Sequence, residues 1–333
     1  MKKSLVFTLF LLTITTQIKS AITRGAVYEN KKTGQSILLL GDIHDLEDQK
    51  NTQRNNLIEQ LCKLDKKSNI TIVEDTQNKN VNKNNSIYLK AMAILNNFDC
   101  KTNILNSLES DLIKKSLNVK NIESRYINGA ICGAPQFIQA YNNLDKNQKN
   151  LYLKEFDFFT SLPKKLNQDL LLEIQNNINS LKTQIKELPK LKTIYQKENY
   201  EKIINYFDNT LSEASKKNYK DLVEKVNTLD PKFLLEEKHG EPLRKISQMI
   251  NPIIDAKIIY NILRNIDKKN IFVCAGISHT VNVEKFIDKI DYKLKKVIGL
   301  DSVDVDSPNN EDLIQKIIKL NPKPININEL FEN

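Results

Sequence analysis

The sequence predicts an α/β fold: a central, mostly parallel or mixed sheet flanked by helices, with an inserted all-helical subdomain. Three observations lead there. Short apolar runs stop abruptly at glycine or an acid, as Ile37 to Leu40 do at Gly41, Ile70 to Val73 at Glu74, and Ile271 to Ala275 at Gly276. Stretches with apolar residues three and four apart separate these runs, which is the strand–helix alternation of an α/β sheet. Residues 145–229 break that rhythm, being long, polar and poor in glycine.

The elements follow in order. Ala26 to Glu29 and Ile37 to Leu40 flank the turn-like KKTG and predict a hairpin. Leu57, Ile58, Leu61 and Leu64 have helical spacing, and Ile70 to Val73 is a short β-branched strand ending at Glu74. A polar loop, NKNVNKNNS, precedes helices at Tyr88 to Leu95 and Ile104 to Leu117, and Val119 to Ile122 reads as another strand. In the middle segment Leu171, Ile174, Ile178, Leu181, Ile185 and Leu188 alternate three and four apart, a heptad-like stripe stopped by Pro189. A second helical stretch runs through Tyr200, Ile203, Ile204 and Phe207, then Leu211 to Val226, which suggests an antiparallel hairpin or small bundle. Such a stripe normally buries itself in its own bundle; a protein partner engaging the insertion is the alternative. After Pro231 the α/β rhythm returns. A helix is expected from Ile253 to Ile266 with Pro252 in its first turn, a strand from Asn270 to Ala275, a helix from Val283 to Ile290 and a last strand from Lys295 to Leu300. The expected organisation is a leader at 1–20, a core domain formed by 21–144 and 230–333, and a helical insertion at 145–229.

The leader is read from Lys2 and Lys3, the apolar stretch Leu5 to Thr13, and Ile18 and Ser20 before a cleavage point, the pattern of a secretory signal peptide. The apolar part is short for a transmembrane span; an uncleaved anchor is the competing reading. Export places the chain in a periplasmic or extracellular compartment, with no stable membrane span after processing. Discounting the leader's three lysines, against no acids, lowers the net charge from +9 to +6. That charge has no focused block and no aromatic interleaving, so no nucleic-acid partner is expected. Cys62, Cys100, Cys132 and Cys274 are too widely spaced for a zinc knuckle. Export permits disulfides, and spacing does not choose between bridges and buried thiols.

The chain has only three histidines. Two of them close matching patterns: GDIH ends at His44 and GISH at His279, each a Gly-x-x-His after an apolar run. His239, in EEKHGEP, has the setting of a surface loop. A histidine at a strand end reaches the crevice where α/β sheets place ligands, although a single such residue is also a common structural hydrogen-bonding group. Acids stand at comparable places. Glu74 follows ITIV, and Glu123 and Arg125 lie in NIESRY. Two histidines and a carboxylate are a workable donor set for a divalent metal with open positions, which would activate a water and polarise a carbonyl. On this reading His44, Glu74 and His279 are the candidate metal ligands. Glu74 or Glu123 is a candidate base, and Arg125 a clamp for an anion or developing oxyanion. A purely structural ion pair between Arg125 and either acid is the plainer alternative.

LLLGDIHD resembles the opening motif of the ChaN and erythromycin esterase families, and FVCAGISH resembles their closing strand. The same pair, with an acid after the second strand as in TIVEDT, is similar to the TraB, GumN and Tiki group. The likeness covers roughly residues 35–126 and 250–300. Asp42 stands where Gly-Glu-x-His is frequent, and Lys79 stands nearest the TraB-type arginine. The resemblance implies an α/β superfamily fold with a helical insertion and paired catalytic histidines at His44 and His279. It also implies an acid at Glu74 and water attack on the carbonyl of a peptide or small ester, with Mn, Co, Fe or Zn as cofactor. On the ChaN side it implies haem or iron binding, for which Tyr126 is the candidate phenolate ligand; packing at the strand end is the alternative for that tyrosine. An inactive scaffold for protein partners is the third reading.

Overall fold

The computed structural model describes residues 20–44, 52–75, 90–91, 93–95, 108–123, 134, 137–138, 140–165, 167–186, 188, 195–216, 241–300, 320 and 323–331. At its centre is a six-stranded mixed sheet. Its strands are β1 (Ser20–Asn30), β2 (Ser36–His44), β3 (Asn69–Val73), β4 (Val119–Asn121), β5 (Asn270–Gly276) and β6 (Tyr292–Gly299). They lie in the order β4-β3-β5-β2-β1-β6. β1 pairs antiparallel with β2 and β6, whereas β2, β5, β3 and β4 are mutually parallel. The β1–β2 connection closes as expected from KKTG. Gly34 takes φ +69°, which only glycine adopts without strain, and Asn30 Oδ1 accepts from the backbone N–H groups of Lys32 (2.9 Å) and Thr33 (3.2 Å).

Strand alternation divides the core into two layers. Ile37, Leu39, Ile70, Ile72, Ile271 and Val273 point to one face. Leu38, Leu40, Val73, Phe272 and Cys274 point to the other. The second face is covered by α1 (Thr52–Lys63), α2 (Leu108–Lys114) and a 3-10 turn, Ile327–Leu330. α3 (Lys146–Leu151) buries no side chain, whereas the apolar cluster of the first face takes in α4 (Leu153–Lys165), α5 (Asn167–Ile185), α6 (Lys197–Lys216), α7 (Glu241–Arg264) and α8 (Ile277–Ile287). The neighbouring parallel strands β2 and β5 therefore send their following helices, α1 and α8, to opposite faces. The carboxyl ends of strands at such a divergence are the usual place for a ligand in α/β sheets.

The region marked by sequence as an insertion is helical in its described part. Phe159, Leu162, Ile178, Leu181, Ile203 and Phe207 from α4 to α6 are buried in the same apolar cluster as the sheet's first face. Of the heptad-like stripe, Ile178, Leu181 and Leu188 are buried in this core, with Ile185 packed against it. Two boundaries differ from expectation. α7 begins at Glu241 and carries Pro252 inside it, where a first turn was expected. α8 begins at Ile277 directly after β5, so His279 sits in the helix's first turn instead of on a loop. The helix starts early because residues 277–281 and Val283 are already buried, and packing decides where a marginal helix begins. Residues 1–19, which carry most of the leader, lie outside the described residues, and no described helix is long and apolar enough to cross a membrane.

Candidate functional site

β5 and β2 run in parallel register from Ser36 opposite Asn270 to Asp42 opposite Gly276. The register brings the two Gly-x-x-His stretches side by side at one end of the sheet. Gly276 itself has φ −53° and ψ 144°, which any residue can adopt. The glycine that geometry requires is Gly41. A Cβ there would lie 2.9 Å from both Ile277 Cγ1 and Thr280 Oγ1, and 3.2 Å from the Ile277 backbone. Its absence lets the first turn of α8 rest on β2.

His279 is 3% exposed and is held between two buried carboxylates. Its Nδ1 donates to Asp255 Oδ1 on α7 at 2.5 Å. Its Nε2 faces Glu74 Oε1 at 3.7 Å, longer than a hydrogen bond. Glu74 Oε2 accepts from the Gly276 N–H at 2.9 Å, which aims the carboxylate at the helix start. Asp255 Oδ2 accepts from Asn282 Nδ2 at 2.8 Å. The proton on Nδ1 is fixed by Asp255, so in the neutral ring Nε2 carries the lone pair. An imidazole oriented through one nitrogen by a buried carboxylate, with the other nitrogen left without a close hydrogen bond to Glu74, has the geometry that general-base chemistry requires.

Neighbouring groups fix this helix. Arg24 on β1 forks onto Glu284 of α8, with Nε to Oε1 at 3.1 Å and Nη2 to Oε2 at 2.9 Å, and also donates to the Leu300 carbonyl. Tyr28 OH adds a bond to Glu284 Oε2 at 3.3 Å. Tyr206 of α6 packs on Phe286 with ring centroids 4.6 Å apart. Burial, reinforced by the Asp255 carboxylate, pushes the Tyr206 phenol well above its ordinary value, so it remains neutral.

The other candidates fall as follows. Glu74 lies beside His279, as its position after β3 implied. His44 is the last residue of β2, with Ser20 as its register partner; its side chain is outside the described part. Arg125 and Tyr126 also lie outside the described residues. Glu123 is buried in a second group at the β3–β4 edge, where its N–H donates to Asn121 Oδ1 (2.9 Å) and Asn121 Nδ2 donates to the Asp75 carbonyl (2.9 Å) and Glu109 Oε2 (3.0 Å). Asp42, on β2, is 2% exposed and adds to the burial that pushes the Cys274 thiol up to about 12. Cys62 and Cys274 are free thiols. Sequence reasoning missed Asp255 and Asn282. The signal for Asp255 was an acid inside the apolar stretch NPIIDAKIIY, where a buried carboxylate needs a partner.

As for metal, no group of three or more His, Cys, Asp or Glu side chains among the described residues could hold an ion. His279 Nε2 and Glu74 Oε1 would give two ligands, and the Asp255 bond to Nδ1 is the outer-shell partner a metal-bound histidine usually has. A third ligand would have to come from elsewhere. No family model, curated protein or solved structure matches the chain.

Proposed function

We propose that the chain is an exported hydrolase that directs water at the carbonyl of a peptide or small ester, with His279 Nε2 as general base. The observation that carries this reading is the Asp255–His279–Glu74 arrangement: one carboxylate at 2.5 Å fixes the ring, and a second stands 3.7 Å from the nitrogen left for chemistry. Two acceptors at that separation are close enough for one water to donate to both. As the water oxygen bonds to the carbonyl carbon, its proton passes to Nε2. The imidazolium is then stabilised by Asp255 and Glu74. Collapse of the tetrahedral intermediate breaks the bond to the leaving alcohol or amine, which takes the proton back from Nε2. Arg125 is the proposed oxyanion clamp, and His44 the second histidine of the crevice.

In a metal-dependent form of the same chemistry, His279 Nε2 and Glu74 would hold a divalent ion, Mn, Co, Fe or Zn, with His44 as third ligand. Bound there, the ion would supply Lewis-acid activation of water. The test is hydrolysis of an ester and peptide panel by wild type and His279→Ala, with metal content measured by mass spectrometry. Hydrolysis lost in a folded variant supports the base assignment, and undiminished hydrolysis overturns it. Near-stoichiometric metal that disappears in the variant selects the metal-dependent form.

A further inference from the structure

We propose that Asn282 is a positioning residue that decides which of two carboxylates takes the single proton of the neutral His279 ring; this rests on the reading of His279 Nε2 as the base. His279 and Asn282 are three residues apart on α8, so they share a face of the helix. They grip the two oxygens of one carboxylate: Nδ1 to Asp255 Oδ1 at 2.5 Å and Asn282 Nδ2 to Asp255 Oδ2 at 2.8 Å. Opposite a carboxylate oxygen the Asn282 amide must present its NH2, so the orientation of that side chain follows from chemistry.

The fork has a consequence for the ring. A carboxylate held at one oxygen only can turn about its Cβ–Cγ bond; held at both, it cannot. Glu74 Oε1 stands 3.7 Å from Nε2 and is a competing acceptor for the same proton. If the ring gave its proton to the Glu74 side, Nε2 would become a donor and lose the lone pair that a base needs. With Asp255 locked by Asn282, Nδ1 keeps the proton and Nε2 keeps the lone pair. Phe286, one turn beyond Asn282, packs on Tyr206 of α6, so α6 supports the fork from outside.

The test reads the tautomer directly. Only three histidines contribute imidazole signals to a two-bond 1H–15N correlation spectrum of the full chain, and His279→Ala assigns the one that matters. At pH 8, wild type is expected to show His279 with Nδ1 protonated and Nε2 bare. Asn282→Leu, similar in size but without the donor, is expected to show a mixture of both tautomers and, on a hydrolysed substrate, a kcat lowered roughly 10–100-fold at unchanged KM. Asn282→Ser, which is too short to reach Asp255 Oδ2, should give the same mixture if the leucine variant does not fold. An unchanged tautomer in a folded variant overturns the proposal, whatever the activity. A chain with no hydrolysis in wild type but a shifted tautomer in the variants overturns the hydrolase reading and leaves the fork standing.

Discussion

Asp255 and His279 are 24 residues apart in the chain and belong to different helices, yet Asp255 Oδ1 and His279 Nδ1 meet at 2.5 Å in the interior. The pairing puts a titratable ring on a rigid support from α7 and leaves its Nε2 facing the end of the sheet. Asp255→Asn keeps the shape and removes the charge that fixes the proton on Nδ1. It should lower kcat by about 10²–10⁴-fold, the range for losing an oriented general base, while circular dichroism stays that of wild type. A folded variant with wild-type kcat would show that Asp255 does not orient the base.

The two glycines of the Gly-x-x-His pair should respond differently to the same change. Gly41→Ala drives a methyl to within 2.9 Å of Ile277 and Thr280, so α8 must move off β2 and carry His279 with it. Gly276→Ala meets His279 Cδ2 at 3.6 Å and Glu74 Oε2 at 3.7 Å, ordinary contacts. A destabilisation of about 1–3 kcal/mol with lost activity is expected for Gly41→Ala, in keeping with overpacking. Gly276→Ala should be close to neutral in stability. Denaturant melts of the pair check the contrast, and equal effects would contradict it.

Arg24 and Glu284 form a nearly buried fork, with side chains 9% and 12% exposed. Glu284→Ala leaves the guanidinium without its anion and should cost about 3 kcal/mol or more. Replacing both residues, Arg24→Met with Glu284→Leu, should recover most of that loss because neither charge is then stranded. Urea melts of the single and double variants provide the comparison.

Alkaline stability follows from buried acids that are neutral when folded. Burial, aided by the Asp42 carboxylate, pushes Cys274 from 9.0 up to about 12. Burial likewise takes Tyr292 from 10.0 up to about 12. The folded chain therefore holds protons that the unfolded chain has released, so stability falls as pH rises. The decline starts near pH 9 with Cys274 and steepens above pH 10, where Tyr292 is joined by Tyr28, Tyr195 and Tyr206, whose phenols burial also holds above their ordinary value. Each group contributes a slope of about 1.4 kcal/mol per pH unit within its window. Cys274→Ala should flatten the limb between pH 9 and 10 when unfolding free energy is measured against pH; an identical slope would contradict the assignment.

The strand order along the chain and the hairpin were legible because they are local: unbroken apolar runs in β2 and β5, buried on both faces, and a left-handed turn at Gly34. The His279–Glu74 pair was legible because Glu74 follows directly on one apolar run and His279 stands three residues after the glycine that ends another. Asp255 and Asn282 were not. Each lies within a helix, where 3.6-residue periodicity says which face is buried and nothing about which neighbouring helix supplies the partner. The start of α8 was placed late for a related reason. Ser278, His279 and Thr280 interrupt the apolar pattern, yet all three are buried by tertiary contacts. The helical middle carried a strong periodic signal, but its burial in the same apolar cluster as the sheet's first face depends on packing against α7 that no local window contains.

The most direct measurement is the rate at which wild type and His279→Ala release acid from activated esters and short peptides. The expected result is turnover by wild type at steady state and a loss of at least about a hundredfold in a variant with unchanged helix content. Equal turnover by both proteins would contradict the assignment of His279 Nε2 as the base.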